Sequence, residues 1–386
     1  MRGSPIARWR LLAVALLASG CSNRPASPDL SGPPLLEVST CRACHQSIVD
    51  SYTQTAHFNT SAPADSHTIK GHFTEGRNTL QTRNLSLRFT MDHRQQGFYQ
   101  TAADQSRLTS RSERFDLVMG SARKGQSYLY WKNGRLFQLP VSYLTGLDQW
   151  INSPGYLDGQ VDFDRPIGPR CLECHSTTFQ VAGDPSGLSY AGEYRLGITC
   201  EKCHGDGRRH IAFHTANPKA TAGAEIRNPA RFPRDRQLDN CALCHSGVRE
   251  WTKPAFSYRP GEPLDDFFRP ETDSTAGVPD VHGNQIALLR QTKCFRASPA
   301  MSCATCHDVH RPQRDLTQMA EKCLGCHQID KHPRVTEIGD RLMSGCIGCH
   351  MPDQKSNAIQ INTPTAQFSP YYRSHLIAVY PGNRPR

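Results

Sequence analysis

Seven times in 386 residues, two cysteines stand two residues apart and a histidine follows at once. The words are Cys41/Cys44/His45, Cys171/Cys174/His175, Cys200/Cys203/His204, Cys241/Cys244/His245, Cys303/Cys306/His307, Cys323/Cys326/His327 and Cys346/Cys349/His350. With 16 Cys and 17 His in the chain, chance supplies about 0.03 copies of such a word. The chemistry that needs this spacing is covalent haem attachment: two thiols form thioethers with the vinyl groups, and the adjacent imidazole takes one axial position on the iron. Two intervening residues let one helical turn span the porphyrin edge. Paired C-x-x-C words also build Cys₄ zinc sites, and a lone one can be a redox pair. Neither explains a His after every second Cys, and an odd number of words cannot be used two at a time.

An iron held from one side wants a second ligand. Ten histidines lie outside the words. His57, His210, His310, His332 and His375 each follow a word at a distance that a helix or loop covers, and they are the first distal candidates. His282, His214 and His72 come next, then His67 and His93. Met301, Met343 and Met351 lie near words and are candidate axial thioethers, although core packing is the commoner fate of Met. Arg208, Arg209 and His214 are the residues that could serve protons or an anion at an open iron.

The elements that position these groups follow from pattern. Arg2, Arg8 and Arg10 precede a short apolar run, Leu11 to Ala18, that ends at Cys21. This reads as a leader over residues 1–20 with Cys21 as a lipidated first residue. A Pro-rich tether over 21–37 follows. A first haem segment spans 38–79, with a short helix carrying His45 towards His57. A β-rich insert occupies 80–160, because Leu85, Leu87 and Phe89 alternate with polar residues and Asn133-Gly134 sits between two strand-like runs. That insert is expected to cover the first haem or to dock a redox partner. Residues 161–386 then hold six haems, with the last three words closely spaced. Seven words use fourteen of the cysteines, Cys21 one more, and Cys294 is left to pack as a free thiol.

Composition bounds the rest. An apolar share of 37% is thin for seven cofactors, so the macrocycles are expected to form the core and the chain to fold only with them. The formal charge of +10 falls once the leader arginines leave and each haem adds two propionates. Nucleic acid is therefore not an expected partner.

Cys303-Ala304-Thr305-Cys306-His307-Asp308-Val309-His310, Cys200-Glu201-Lys202-Cys203-His204-Gly205 and Cys346-Ile347-Gly348-Cys349-His350-Met351-Pro352 resemble the words of bacterial multihaem cytochromes c, specifically the cytochrome c-552/4-like group. The resemblance covers about residues 38–60 and 165–352. It implies stacked, mostly bis-His haems in a mainly α frame with extensive loop, and the β-rich insert near residues 80–158 as an addition. The chain has no C-x-x-C-K word, the mark of the catalytic haem in many nitrite reductases of this kind. The expected function is single-electron transfer between redox-partner proteins, at the periplasmic or outer-membrane face of a bacterial envelope. The alternative is a multihaem oxidoreductase with one open iron acting on a compound of the nitrite, hydroxylamine or tetrathionate type.

Overall fold

The computed structural model describes residues 35–183, 186–247, 249–269, 284–356, 359–363 and 365–380. The leader, Cys21, most of the tether and His282 lie outside the described residues. Helix α1 (Val38–Tyr52) carries the first word and kinks at His45, where φ −114° and ψ 39° leave the helical range. Its Tyr52 hydroxyl donates to the Ile198 carbonyl at 2.6 Å and fixes the helix to a distant part of the chain.

Alternating residues then build two antiparallel sheets. The strands are β1 (Ser61–Pro63), β2 (Thr79–Gln81), β3 (Leu87–Arg94), β4 (Gly97–Asp104), β5 (Thr109–Arg114), β6 (Leu117–Met119), β7 (Gly125–Lys132), β8 (Arg135–Gln138), β9 (Val141–Leu144) and β10 (Gln149–Asn152). One sheet runs β2-β3-β4-β5; the other runs β1-β6-β7-β9-β10, with β8 paired to β7. In β4, Phe98, Gln100, Ala102 and Asp104 are buried and their neighbours are not, the period of two that a one-sided strand requires. The β7–β8 turn has positive φ at both Asn133 (51°) and Gly134 (73°), which matches the right-handed twist of the strands. Between the sheets Phe89, Met91, Phe115, Tyr128, Trp150 and Phe163 form one apolar core. A single amide bridges it: Gln100 Nε2 donates to Val141 O at 3.1 Å and its Oε1 accepts from Val141 N at 2.9 Å.

This β unit does not cover the first haem word as expected. It packs on the second: Leu117, Leu129 and Leu136 share a cluster with Leu172, Phe179 and Tyr190, against Cys171. Ser61 Oγ also donates to His175 O at 2.5 Å. The correction has a simple cause, since β1 follows the first word in sequence but pairs in the sheet beside the second.

Beyond it the chain forms short helices, α2 (Pro169–His175), α3 (Cys200–His204), α4 (Arg208–Ala216), α5 (Arg234–His245), α6 (Gln285–Arg290), α7 (Lys293–Ala297), α8 (Leu316–Leu324), α9 (Val335–Ile338) and α10 (Leu342–His350); α2, α3, α5 and α10 carry whole words, α8 ends inside the Cys323 word, and the Cys303 word begins on a 3₁₀ turn. The hairpin β11 (Ser176–Val181) and β12 (Tyr190–Leu196) separates α2 from α3. At Gly197, φ is 66° and a Cβ would collide with Phe58 O, so only glycine lets the chain pass there. Four more short strands, β13 (Asp353–Lys355), β14 (Ile361–Asn362), β15 (Gln367–Phe368) and β16 (Tyr371–Arg373), follow the last word. The chain is thus 30% helical and 24% strand, and the expectation of a mainly α fold is corrected. A word needs one helical turn, so the helices stay short, while sheet recurs on both sides of the insert. No helix among the described residues is long and apolar enough to cross a membrane.

Candidate functional site

The words end up as neighbours, and the histidines outside them arrive from other segments. His45 faces His210 with ring centroids 6.2 Å apart, His57 faces His245 at 6.2 Å, and His204 faces His310 at 6.1 Å. His307 faces His375 at 6.0 Å and His332 faces His350 at 6.3 Å. Each pair joins one word histidine to one of the five first distal candidates. A metal bound through a nitrogen of both rings requires two bonds of about 2 Å plus about 1 Å from each nitrogen to its ring centre, so about 6 Å in all. The pairs therefore fit an iron between them. The ring planes fall into two groups: 16°, 23° and 30° for the pairs at His45, His204 and His307, against 75° and 77° for those at His245 and His350.

The surroundings fit a haem as well. His57 and His245 are exposed by their own surface, yet protein surrounds them closely enough that burial depresses both, His245 to about 4 with His57, His375, His307 and His175 nearby. Burial likewise holds His375 at about 4 and lowers His204, which keeps these rings in the neutral form that ligates iron.

The word cysteines are less uniform. Cys44 and Cys326 are exposed, whereas the other word cysteines are half-buried. Helix α1 buries Val49 and Tyr52, both in its last turn. In the first word Cys41 is half-buried.

Ring orientation is fixed from behind. The Nδ1–H of His204 donates to Arg227 O at 2.9 Å, that of His210 to Ala224 O at 2.7 Å, and that of His350 to Ala378 O at 2.9 Å. A carbonyl can only accept, so the tautomer is set and Nε2 is left free for a metal. His307 Nδ1 is 3.3 Å from Gln313 Oε1, and His175 Nδ1 is 2.9 Å from Thr60 Oγ1. His332 reverses the pattern, its Nδ1 accepting from the Arg334 N–H at 3.2 Å. Backbone carbonyls carry no residue-type signal, which is why sequence reading misses these partners.

The remaining candidates go elsewhere. His72 binds Asp148 at 2.9 Å in the β unit, His93 stacks on Phe98, and the His67 backbone N–H donates to the Asp65 carboxylate in an exposed turn. His214 lies edge-on to His210 at 4.5 Å, beside that pair rather than across from an iron. Arg208 pairs with Asp206 and Arg209 with Glu225, so neither cation is spare. Met301 packs against the cluster of Leu238, Leu289 and Phe295, and Met343 is exposed. Cys294 Sγ lies 3.4 Å from Thr292 Oγ1 and close to the thiols of Cys306 and Cys323. His327 is exposed like its neighbour Cys326, and among the described residues no second imidazole faces it.

The family model for cytochrome c554 and c-prime matches residues 144–205, from the end of β9 through the third word. Among solved structures, the outer cell wall cytochrome OcwA is similar with a TM-score of 0.57 at 18% identity, over 88% of this chain and 78% of that one. An undecahaem cytochrome from the S-layer of Carboxydothermus ferrireducens is 16% identical over 87% of this chain and 55% of its own length, with a TM-score of 0.42. No curated protein matches the chain.

Proposed function

We propose that this bacterial multihaem cytochrome c is an exported electron carrier, with seven covalent haems of which at least five are held by two histidines. The observation that carries the reading is the set of five facing histidine pairs at 6.0 to 6.3 Å. A haem closed on both faces supplies one-electron storage and leaves no position for a substrate. The chain's own part is to orient the rings through Nδ1–H donors and to keep them neutral by burial. In this assignment His210 serves the Cys41 word, His310 the Cys200 word, His57 the Cys241 word, His375 the Cys303 word and His332 the Cys346 word.

The leader exports the chain to where haem c is attached, and a lipid on Cys21 tethers it to a membrane at the cell envelope. The likeness to OcwA, an outer cell wall cytochrome, supports an envelope location here. Donor and acceptor are redox proteins, met at the surface of the body.

A second reading rests on His327, exposed and unfaced by another imidazole among the described residues. An iron there is reachable by a small nitrogen or sulfur compound and makes the protein an oxidoreductase. Low-temperature EPR of the ferric protein, with a haem count by pyridine haemochrome, separates the two. Electron carriage predicts seven haems, all low-spin and unchanged by nitrite or hydroxylamine. A high-spin signal worth about one haem that shifts with either compound reverses the ranking.

A further inference from the structure

Two of the five distal histidines are steadied by a hydrogen bond at the ring: His210 donates to Ala224 O, and His332 accepts from the Arg334 N–H. His310 has no such bond among the described residues. The nearest carboxylate, that of Asp308, lies 3.9 Å from its Nδ1, beyond hydrogen-bond reach, and the His310 side chain is 43% exposed. A short exposed turn with a free imidazole at its end leaves the ring able to rotate. Yet it stands 23° from the plane of His204, with the centroids 6.1 Å apart. What packs on it is an aromatic ring from a different word's helix: the centroids of Tyr52 and His310 are 6.0 Å apart, with the planes tilted by 60°.

Tyr52 is itself held on every side. It is the last residue of α1, which bears the Cys41 word, and it is 8% exposed. Its hydroxyl donates to Ile198 O at 2.6 Å, its carbonyl accepts from Thr55 Oγ1 at 2.7 Å, and its ring meets Phe58 edge-on at 6.1 Å. A buried phenol needs such a partner, and here the partner fixes the direction in which the ring points. Ile198 stands two residues before Cys200, which opens the word of His204, and its N–H donates to His57 O at 3.0 Å. One peptide thus ties the tyrosine behind His310 to the backbone of a second distal histidine. We propose that Tyr52 is a positioning residue for the axial pair His204/His310, doing for His310 what a hydrogen bond does for His210 and His332. The quantity it sets is the angle between the two rings. The inference rests on the electron-carrier reading and deepens it, because the closure of the Cys200 word then depends on the helix of the Cys41 word.

Low-temperature EPR of the ferric, haem-loaded full chain tests this with three variants. Tyr52→Leu removes the ring and should shift or abolish one of the three rhombic low-spin signals expected from the near-parallel pairs, with the haem count and the other signals unchanged. Tyr52→Phe keeps the ring and should restore the native signal. A tyrosine that only packed would cost stability and leave the signals where they are, so native rhombic signals in Tyr52→Leu overturn the proposal. A change in Tyr52→Phe as large as that in Tyr52→Leu overturns it too, because the tie to Ile198 rather than the ring would then be what counts. His310→Ala separates the proposal from the reading beneath it. A new high-spin signal worth about one haem upholds the ligand pair whatever Tyr52 does, and its absence sinks the pair and the proposal together. Should Tyr52→Leu not accumulate, a crystal structure of the native haem-loaded chain decides. The Tyr52 ring within about 4 Å of the His310 ring, with nothing bonded to its Nδ1, upholds the assignment; a carbonyl or carboxylate on that nitrogen overturns it.

Discussion

The β unit and the segment from Cys303 to Arg373 are built on opposite plans. In the first, Phe89, Met91, Tyr128 and Val141 have no measurable exposed surface and share one core. In the second, helices α8 and α10 bury only Ala320, Leu342 and Ile347, while Leu316 is 44% and Met343 56% exposed. The sheet closes over its own side chains. The helices leave apolar surface and histidine rings uncovered, in the places where flat cofactors would lie. The difference teaches that a haem substitutes for hydrophobic side chains, so a region can be well specified and yet have almost no core of its own.

Withholding haem should widen this contrast most. In a host lacking the attachment machinery, residues 61 to 168 should keep slow hydrogen exchange and resist protease, while 200 to 350 exchange at once; equal loss in both regions would break the comparison. Next in size, Phe89→Ala removes a fully buried ring and should cost about 3 to 5 kcal/mol. Exchange in β2 to β5 should then rise while the haem count stays the same, and loss of haem with it would mean the two plans are energetically one. His57→Ala makes the converse cut. One iron should turn high-spin in EPR, with the β unit's exchange unchanged. The wild-type spectrum sharpens the picture further, because near-parallel rings split the iron orbitals and perpendicular rings leave them close in energy. Three haems should give rhombic low-spin signals and the two at His245 and His350 strongly anisotropic ones; a single signal type contradicts the ring angles.

The smallest expected effect is that of acid on the β unit. Hydrogen bonds from Tyr143 and His72, then the charge of Arg77, hold the Asp148 carboxyl down to about 2, against 3.8 unperturbed. A depressed carboxyl contributes stability that is whole above its unfolded pKa and lost as pH falls through the folded one. The unit should therefore weaken between about pH 4 and pH 2, followed by tryptophan fluorescence, and Asp148→Asn should flatten that slope.

Much of the site was legible because covalent attachment demands fixed residue types at fixed spacing, and each word supplies them locally. How deep each word sits was not legible, since Cys44 and Cys174 stand in the same local pattern and differ only in what the rest of the chain brings beside them. The distal histidines could be named by type, but their partners could not. His57 meets His245 and His310 meets His204 through topology, which no local pattern encodes. The β unit announced itself through β3, β4 and the Asn133-Gly134 turn. Strand β1 did not, since three residues gain strand character only from pairing with β6. The mainly α expectation failed for a related reason: seven words suggest seven helices, but a word asks for only one turn, and the turn Cys303–Thr305 is no more than 3₁₀.

The last strand region bears on biogenesis. Ala378 O receives the His350 Nδ1–H, and His375 faces His307, so two words are finished by residues made long after them. A chain cut short before residue 375 keeps all seven words, yet lacks the ring that faces His307 and the carbonyl that aligns His350. Haem colour alone is then no proof that the fold is complete.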